Sequence, residues 1–148
     1  MNFQDCIKFA NEGHSCFLAT VEGDQPRVRA FGLWFADETG IYFQTETSKA
    51  VYQQLKHNNK VEACFYAPDP GSGVGKQMRI KGEIEFIDDI ALKTKVLEER
   101  PFLKAFGIEK PEDPLLGVFR IYKGEAFFWT MEDNMKESEI ERIKFGGY

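Results

Sequence analysis

The sequence predicts a mainly β protein: an antiparallel barrel of about six strands with peripheral helices, a sandwich being the alternative. Three observations carry that prediction. Aromatic residues reach 14%, with 14 phenylalanines, a bias that suits strands. Most apolar runs alternate with period two between turns rich in Gly, Asp and Pro. Only three segments show apolar residues at helical spacing. A chain of 148 residues fits one domain, residues 1–148, and at this size folding buries roughly 68–70% of the unfolded surface, so no disulfide or metal staple is needed.

The elements follow in order. Phe3, Cys6, Ile7 and Ala10 recur at helical spacing and Gly13 is placed to end the run, which predicts a short opening helix. "CFLATVEGDQPRVRAFGLWFADETGIYFQT" reads as a three-stranded antiparallel meander, with "EGDQP" and "DETG" as turns. Gln25 to Phe35 would be one strand, with Arg27, Arg29, Phe31, Leu33 and Phe35 along one face. "TSKAVYQQLKHN" changes period, with Val51, Tyr52 and Leu55 on one helical face and Thr47 or Ser48 as the cap.

Two further strands, "KVEACFYAP" and "KQMRIKGEIEFID", flank the loop "DPGSGVG", and Gly82 inside the second predicts a bulge or sharp bend. "DDIALKTKVLEER" is a helix started by Asp88 or Asp89 and stopped before Pro101. "GVFRIYKGEAFFWTM" supplies the last strands, bent or turned at Lys123–Gly124. The tail "EIERIKFGGY" suits a helix or an edge strand.

Composition excludes several functions. A net charge of −5 without a long block of one sign gives no footprint for nucleic acid or an anionic membrane. The N-terminus lacks the apolar run of a leader and no segment has transmembrane length, so a soluble cytoplasmic protein is expected. Cys6, Cys16 and Cys64 are too widely spaced for a metal or redox pair and read as small hydrophobes. His14 and His57 belong to no ligating motif, and no serine stands in a nucleophile elbow. "PDPGSGVGKQ" resembles a phosphate-binding P-loop but has Pro70 and Gln77 at two defining positions, and it leads into a strand where a P-loop opens a helix.

A candidate anion site remains. Lys49 stands in the first turn of a predicted helix, where a cation opposes the helix dipole by something like 0.3–1 kcal/mol. A bound phosphate would reverse that sign, with Thr45, Thr47 and Ser48 as hydroxyl donors. A tight turn joins the Arg29 strand to Ile41–Thr45, so antiparallel pairing of the two would bring Arg29 to the same end. Arg27 reads as a surface charge paired to a carboxylate such as Glu22. The charged-to-apolar gradient along that strand suits a ligand with a phosphate tail and an aromatic ring.

"FLATVEGDQPRVRAFG", "GIYFQTETSKAVYQQLKHNNKVEACFY" and "KQMRIKGEIEFID", in that order and spacing, resemble the pyridoxamine-phosphate-oxidase-like family of FMN-binding split barrels, and more closely its nitroimidazole-resistance-type branch. The resemblance covers nearly the whole chain. It implies FMN as cofactor, its phosphate held by Arg29, Ser48 and Lys49 and its ring lying along Ala30, Phe31 and Gly32. Gln44 and Thr45 fall on the family's aromatic-Thr pair; the stretch after them is one residue shorter than in the family and lacks its second cation. Gln77 corresponds to a glutamine that reaches the flavin from a neighbouring subunit, which implies a homodimer with two interfacial flavins.

Two departures bear on activity. Trp34 stands where the oxidase motif has lysine, and the C-terminal arginine segment that grips pyridoxal phosphate is missing, so true pyridoxamine phosphate oxidase activity is not expected. Trp34, Phe128 and Trp129 read as core or interface residues. The resemblance implies an FMN-dependent reductase or oxidase acting on a small, aromatic substrate, with a nicotinamide electron donor and no catalytic side chain required. The alternatives are a flavin-holding or sensing protein without turnover, and the same barrel carrying a deazaflavin or haem.

Overall fold

The computed structural model describes residues 1–68, 71 and 74–148. Its strands, in chain order, are β1 (Ser15–Glu22), β2 (Gln25–Gly32), β3 (Phe35–Asp37), β4 (Gly40–Glu46), β5 (Lys60–Ala67), β6 (Lys76–Phe86), β7 (Leu116–Trp129) and β8 (Ile143–Phe145). They form one antiparallel sheet in the order β2-β1-β5-β6-β7-β4-β3, with β8 on the edge of β7. Three α-helices, α1 (Phe3–Gly13), α2 (Ala50–His57) and α3 (Ile90–Glu99), lie around the sheet, and a 3-10 helix spans Pro101–Phe106. The predicted mainly β, antiparallel architecture with peripheral helices is present. Among the described residues no helix is long and apolar enough to cross a membrane.

The sheet has eight strands rather than about six, because a run read as continuous is broken and the tail adds an edge. The predicted strand Gln25–Phe35 stops at Gly32. Leu33 N–H donates to the His14 carbonyl at 2.7 Å and Trp34 N–H to the Tyr42 carbonyl at 3.0 Å. The chain thus changes partner within two residues, leaving β1 and joining β4 through β3. Arg27, Arg29 and Phe31 keep one face, but Leu33 and Phe35 do not continue that line.

β2 therefore does not pair with β4, as the tight connection suggested. It pairs with β1, setting Leu18 opposite Arg29, while β4 pairs with β3 and β7. The ends of the sheet order, β2 and β3, are joined covalently by the Leu33–Trp34 corner, and the barrel is open between them.

β7 is one long strand, bent where Gly82 and Gly124 face each other across β6 and β7. A Cβ on Gly82 would strike the Lys123 carbonyl oxygen, and one on Gly124 the Lys81 carbonyl oxygen, so both positions require glycine for close backbone approach. The register shifts immediately after, between Glu83 and Ile84, one residue beyond the predicted bend.

Helix ends follow local chemistry in two cases and depart from it in a third. Asn2 and Asp5 close a capping box on α1, and Asp89 caps α3 by accepting from Leu92 N–H at 3.2 Å. The cap of α2 is Lys49, with no side-chain cap bond, in place of Thr47 or Ser48; Thr47 donates its hydroxyl to the Pro114 carbonyl at 2.8 Å instead. Asp69, Pro70, Ser72 and Gly73, the centre of the loop resembling a P-loop, lie outside the described residues; β6 follows as a strand.

Two apolar clusters fill the molecule. One joins α1, α2 and the barrel interior around Leu18, Phe43, Phe65, Met78, Ile80 and Phe119. The other packs α3 and the 3-10 segment through Val96, Leu103 and Ile108 onto Trp34, Tyr42, Leu116 and Val118. The second cluster fixes the end of α3 beside the open seam of the barrel.

Candidate functional site

At that seam lies a cleft of about 170 Å³, lined by Ala30, Phe31 and Gly32 of β2, Gln44 and Glu46 of β4, Lys49 at the start of α2, and Arg100 and Phe102 beyond α3. β2 is an end strand, so the edge it turns away from β1 has no strand partner among the described residues. Phe31 sends its ring into the core, edge-on to Phe43 and Phe119 at centroid distances of 5.5 and 6.0 Å, which anchors the strand's last turn of backbone at the cleft.

The charges in the cleft are mutually arranged. Glu46 stands between Lys49, whose Nζ is 3.4 Å from its carboxylate, and Gln44, whose Nε2 donates to it at 3.4 Å. Arg100 Nη2 donates to the Leu33 carbonyl at 2.9 Å, tying the end of α3 to the barrel corner. Burial lowers the Arg100 pKa from its usual value, with Glu99 and Glu46 acting in the opposite sense. Two cations against one carboxylate leave the cleft suited to an anionic or strongly hydrogen-bonding planar group.

Thr45 is fully buried, and its hydroxyl has no hydrogen-bond partner among the described residues. An unpaired buried hydroxyl costs on the order of 1–3 kcal/mol.

Arg29 precedes Ala30 of the cleft on β2 and does not itself line the cleft. Its Nη1 donates to Thr20 Oγ1 at 2.7 Å and to the Leu18 carbonyl at 3.1 Å, and its Nη2 to Gln54 Oε1 at 2.5 Å. Burial lowers the Arg29 pKa, and neighbouring Arg27 adds to the shift. Arg27 is an exposed partner of Glu22 at 2.8 Å, as its surface reading implied.

Of the residues singled out in sequence, Ala30, Phe31, Gly32, Gln44 and Lys49 meet in the cleft; Arg29 and Thr45 are chain neighbours of Ala30 and Gln44 and do not line it. Ser48 is exposed at the start of α2 and does not line the cleft. Gln77 lies elsewhere, on β6 opposite Tyr66 and Trp129, with Cys64 Sγ 3.8 Å from its Oε1. Sequence reasoning missed Arg100, Phe102 and Glu46. The one local signal for Arg100 was a cation in "EERPF", held at a helix end by the following proline. Among the described residues no cluster of three His, Cys, Asp or Glu could hold a metal ion.

Comparison with known proteins agrees with this architecture. The pyridoxine/pyridoxamine 5'-phosphate oxidase of Brucella ovis is 25% identical over 148 aligned positions, covering 80% of this chain and 69% of the relative. The crystal structure of a NimC/NimA family protein from Clostridium acetobutylicum matches with a TM-score of 0.74 at 29% identity, over 96% of this chain and 92% of that one. PhzG from Burkholderia lata, solved with tetrahydrophenazine-1-carboxylic acid, matches with a TM-score of 0.70 at 15% identity, over 97% and 89% of the two chains, and shares the fold. A family model described as pyridoxamine 5'-phosphate oxidase matches residues 4–130. With the split-barrel fold, the seam cleft and a match over most of its length, the chain belongs to the pyridoxamine 5'-phosphate oxidase family, on the side of its nitroimidazole-resistance-type members.

Proposed function

We propose that the protein is an FMN-binding oxidoreductase acting on a small, flat substrate. The observation that carries the reading is the seam cleft: a free strand edge at Ala30–Gly32 with Lys49 and Arg100 among its lining residues. These features fit a phosphorylated flavin, whose ring edge needs backbone donors and acceptors and whose phosphate needs cations and hydroxyls. Bound flavin would supply the electron transfer itself.

The chain's residues then have distinct tasks. The open edge of β2 orients the ring by its backbone groups, while Lys49 and the side of Arg29 turned away from Thr20 and Gln54 hold the phosphate. Ser48, at the start of α2, adds a hydroxyl there. Arg100 and Phe102 bound the substrate side of the cleft, excluding water from one ring face and offering a cation to an anionic or polar substituent. No side chain in the cleft is needed as a general acid or base.

A volume of about 170 Å³ falls below the roughly 300–1,000 Å³ of complete ligand sites, which supports a site finished by a second copy of the chain. The outer face of β1, β2 and β5 exposes Phe17, Val28 and Tyr66, at 53, 69 and 42% of their full accessibility. Gln77 and Trp129 are paired beyond Tyr66 on the neighbouring strands. A homodimer through this face would cover the apolar side chains and carry Gln77 to the partner's flavin.

The absorbance spectrum of the purified protein tests the reading. A flavin spectrum, or its appearance on adding FMN, is expected, with bleaching when a nicotinamide donor is supplied. Protein that is colourless and takes up no FMN, or that carries haem or a deazaflavin, rejects FMN as the cofactor. Bound FMN without steady-state reduction of quinones or nitroaromatics would make it a flavin carrier or sensor.

A further inference from the structure

Next along β2 from Ala30 of the cleft, Arg29 forms a closed ring of hydrogen bonds with Thr20 and Gln54. Thr20 donates its hydroxyl to Gln54 Oε1 at 2.6 Å, and Arg29 donates Nη1 to Thr20 Oγ1 at 2.7 Å and Nη2 to the same Gln54 oxygen at 2.5 Å. Thr20 and Gln54 are 1 and 6% exposed, and they come from different elements, β1 and α2. Gln54 Nε2 reaches Glu22 at 3.5 Å, and the Leu18 carbonyl takes the second Nη1 proton.

The donor count gives this ring a direction. A guanidinium has five N–H groups, and three are committed here to Leu18, Thr20 and Gln54. Thr20 Oγ1 and Gln54 Oε1 are themselves only 2.6 Å apart, so together they take the end of the guanidinium between Nη1 and Nη2. The two protons left over, on Nε and on the outer side of Nη2, are parallel neighbours on the side edge. That is the arrangement that grips two oxygens of one phosphate.

We propose that Thr20 and Gln54 are positioning residues: they clamp the end of Arg29 so that its side edge is presented, already oriented, to the phosphate of a phosphorylated flavin. The pair thereby sets the preference for FMN over unphosphorylated riboflavin. This inference rests on the cofactor reading above and extends it to residues that touch neither the ring nor the substrate. An arginine fixed in advance loses less freedom on binding than one that must be gathered from solvent. Without the clamp Arg29, which is only partly buried, turns to water and contributes charge without geometry.

The test compares dissociation constants for FMN and riboflavin by flavin fluorescence quenching in wild type, Thr20→Val/Gln54→Met and Thr20→Ser. The wild type should prefer FMN. The double variant should lose about tenfold or more of that preference, through weaker FMN binding with riboflavin binding little changed, and Thr20→Ser should keep it. A general packing defect would weaken both ligands alike and leave their ratio intact. A double variant with the wild-type ratio therefore overturns this inference alone. A wild type that binds neither flavin, or both equally, overturns the cofactor reading and this inference with it. Should the double variant fail to fold by circular dichroism, the single Thr20→Val is read by the same ratio and the same criterion.

Discussion

Trp34 Nε1 donates to Glu99 Oε1 at 2.9 Å, joining the barrel corner to the last residue of α3. The next residue, Arg100, returns a bond to the Leu33 carbonyl, so adjacent residues of the corner hold adjacent residues of the helix end. Trp34 also packs edge-on to Phe35 at 4.8 Å and belongs to the apolar cluster with Val96 and Leu103. Its place in the oxidase motif is occupied here by a packing and latching residue.

Trp34→Phe should therefore destabilise the protein by about 1–3 kcal/mol, chiefly from lost packing of the buried ring, with the lost hydrogen bond to the solvent-exposed Glu99 a smaller part. Urea denaturation should show it as a lower midpoint at unchanged slope. Glu99→Gln keeps an acceptor oxygen and should cost less than Trp34→Phe.

Glu46 lies with its carboxylate between Lys49 and Gln44 and is, among the described residues, the one negative charge lining the cleft. Glu46→Gln removes repulsion towards an anionic ligand and frees Lys49. Affinity for FMN should rise by roughly three- to tenfold at low ionic strength, and the gain should shrink in high salt because Lys49 is half exposed. Lys49→Ala should move affinity the other way. Fluorescence titrations at two salt concentrations measure both.

Much of this fold is legible in the sequence, and its gaps have physical causes. Alternating burial in β1, β5 and β6 and the caps at Asn2 and Asp89 are local features, each decided within a few residues. The Leu33–Trp34 corner is not, because apolar residues run unbroken through it and only the competing partners β1 and β4 show where the strand ends. The capping error at α2 has a similar origin: Thr47 is taken up by Pro114, 67 residues away. At the site, the short-range group Ala30–Gly32, Gln44 and Lys49 was readable, whereas Arg100 reaches the cleft only through packing of α3 on Trp34. Arg29 was found as a cation, but its partners Thr20 and Gln54 are polar residues on buried faces that alternation alone leaves unexplained.

Burial pushes the thiols of Cys6 and Cys16 up to about 12, against 9.0 for the free group. Both are neutral and enclosed at pH 7, with 0 and 2% of their surface exposed. As pH rises through the unfolded value the unfolded chain releases these protons while the folded chain keeps them, so stability falls between about pH 9 and 12, by at most about 1.4 kcal/mol per pH unit for each thiol. Below pH 8 neither contributes a slope. Denaturant titrations of wild type and Cys6→Ala/Cys16→Ala across pH 8–10 should show a shallower alkaline loss in the variant.

Gly32 and Gly82 should separate binding from stability. A Cβ at Gly32 meets nothing within 4 Å, and the residue lines the cleft. Gly32→Ala should change stability by less than about 1 kcal/mol yet weaken FMN binding by occupying the space along the strand edge. Gly82→Ala drives a methyl into the Lys123 carbonyl oxygen and should cost more than about 3 kcal/mol, or prevent folding. Thermal melts with and without FMN report both effects.

Val28 is 69% exposed at the outer face of β2 and points away from the core face that carries Arg29. Within one chain a charge at this position has little to disturb, so Val28→Glu alone should leave the melting temperature of the cofactor-free monomer nearly unchanged. In a dimer formed through Phe17, Val28 and Tyr66 it would place two like charges in a closing apolar contact. Sedimentation should then find wild type as a dimer and Val28→Glu as a monomer, and the monomer should bind FMN far more weakly because Gln77 of the other copy no longer reaches the site. A Val28→Glu protein that stays dimeric, or a monomer with full flavin affinity, would place the second half of the site on another face of the molecule.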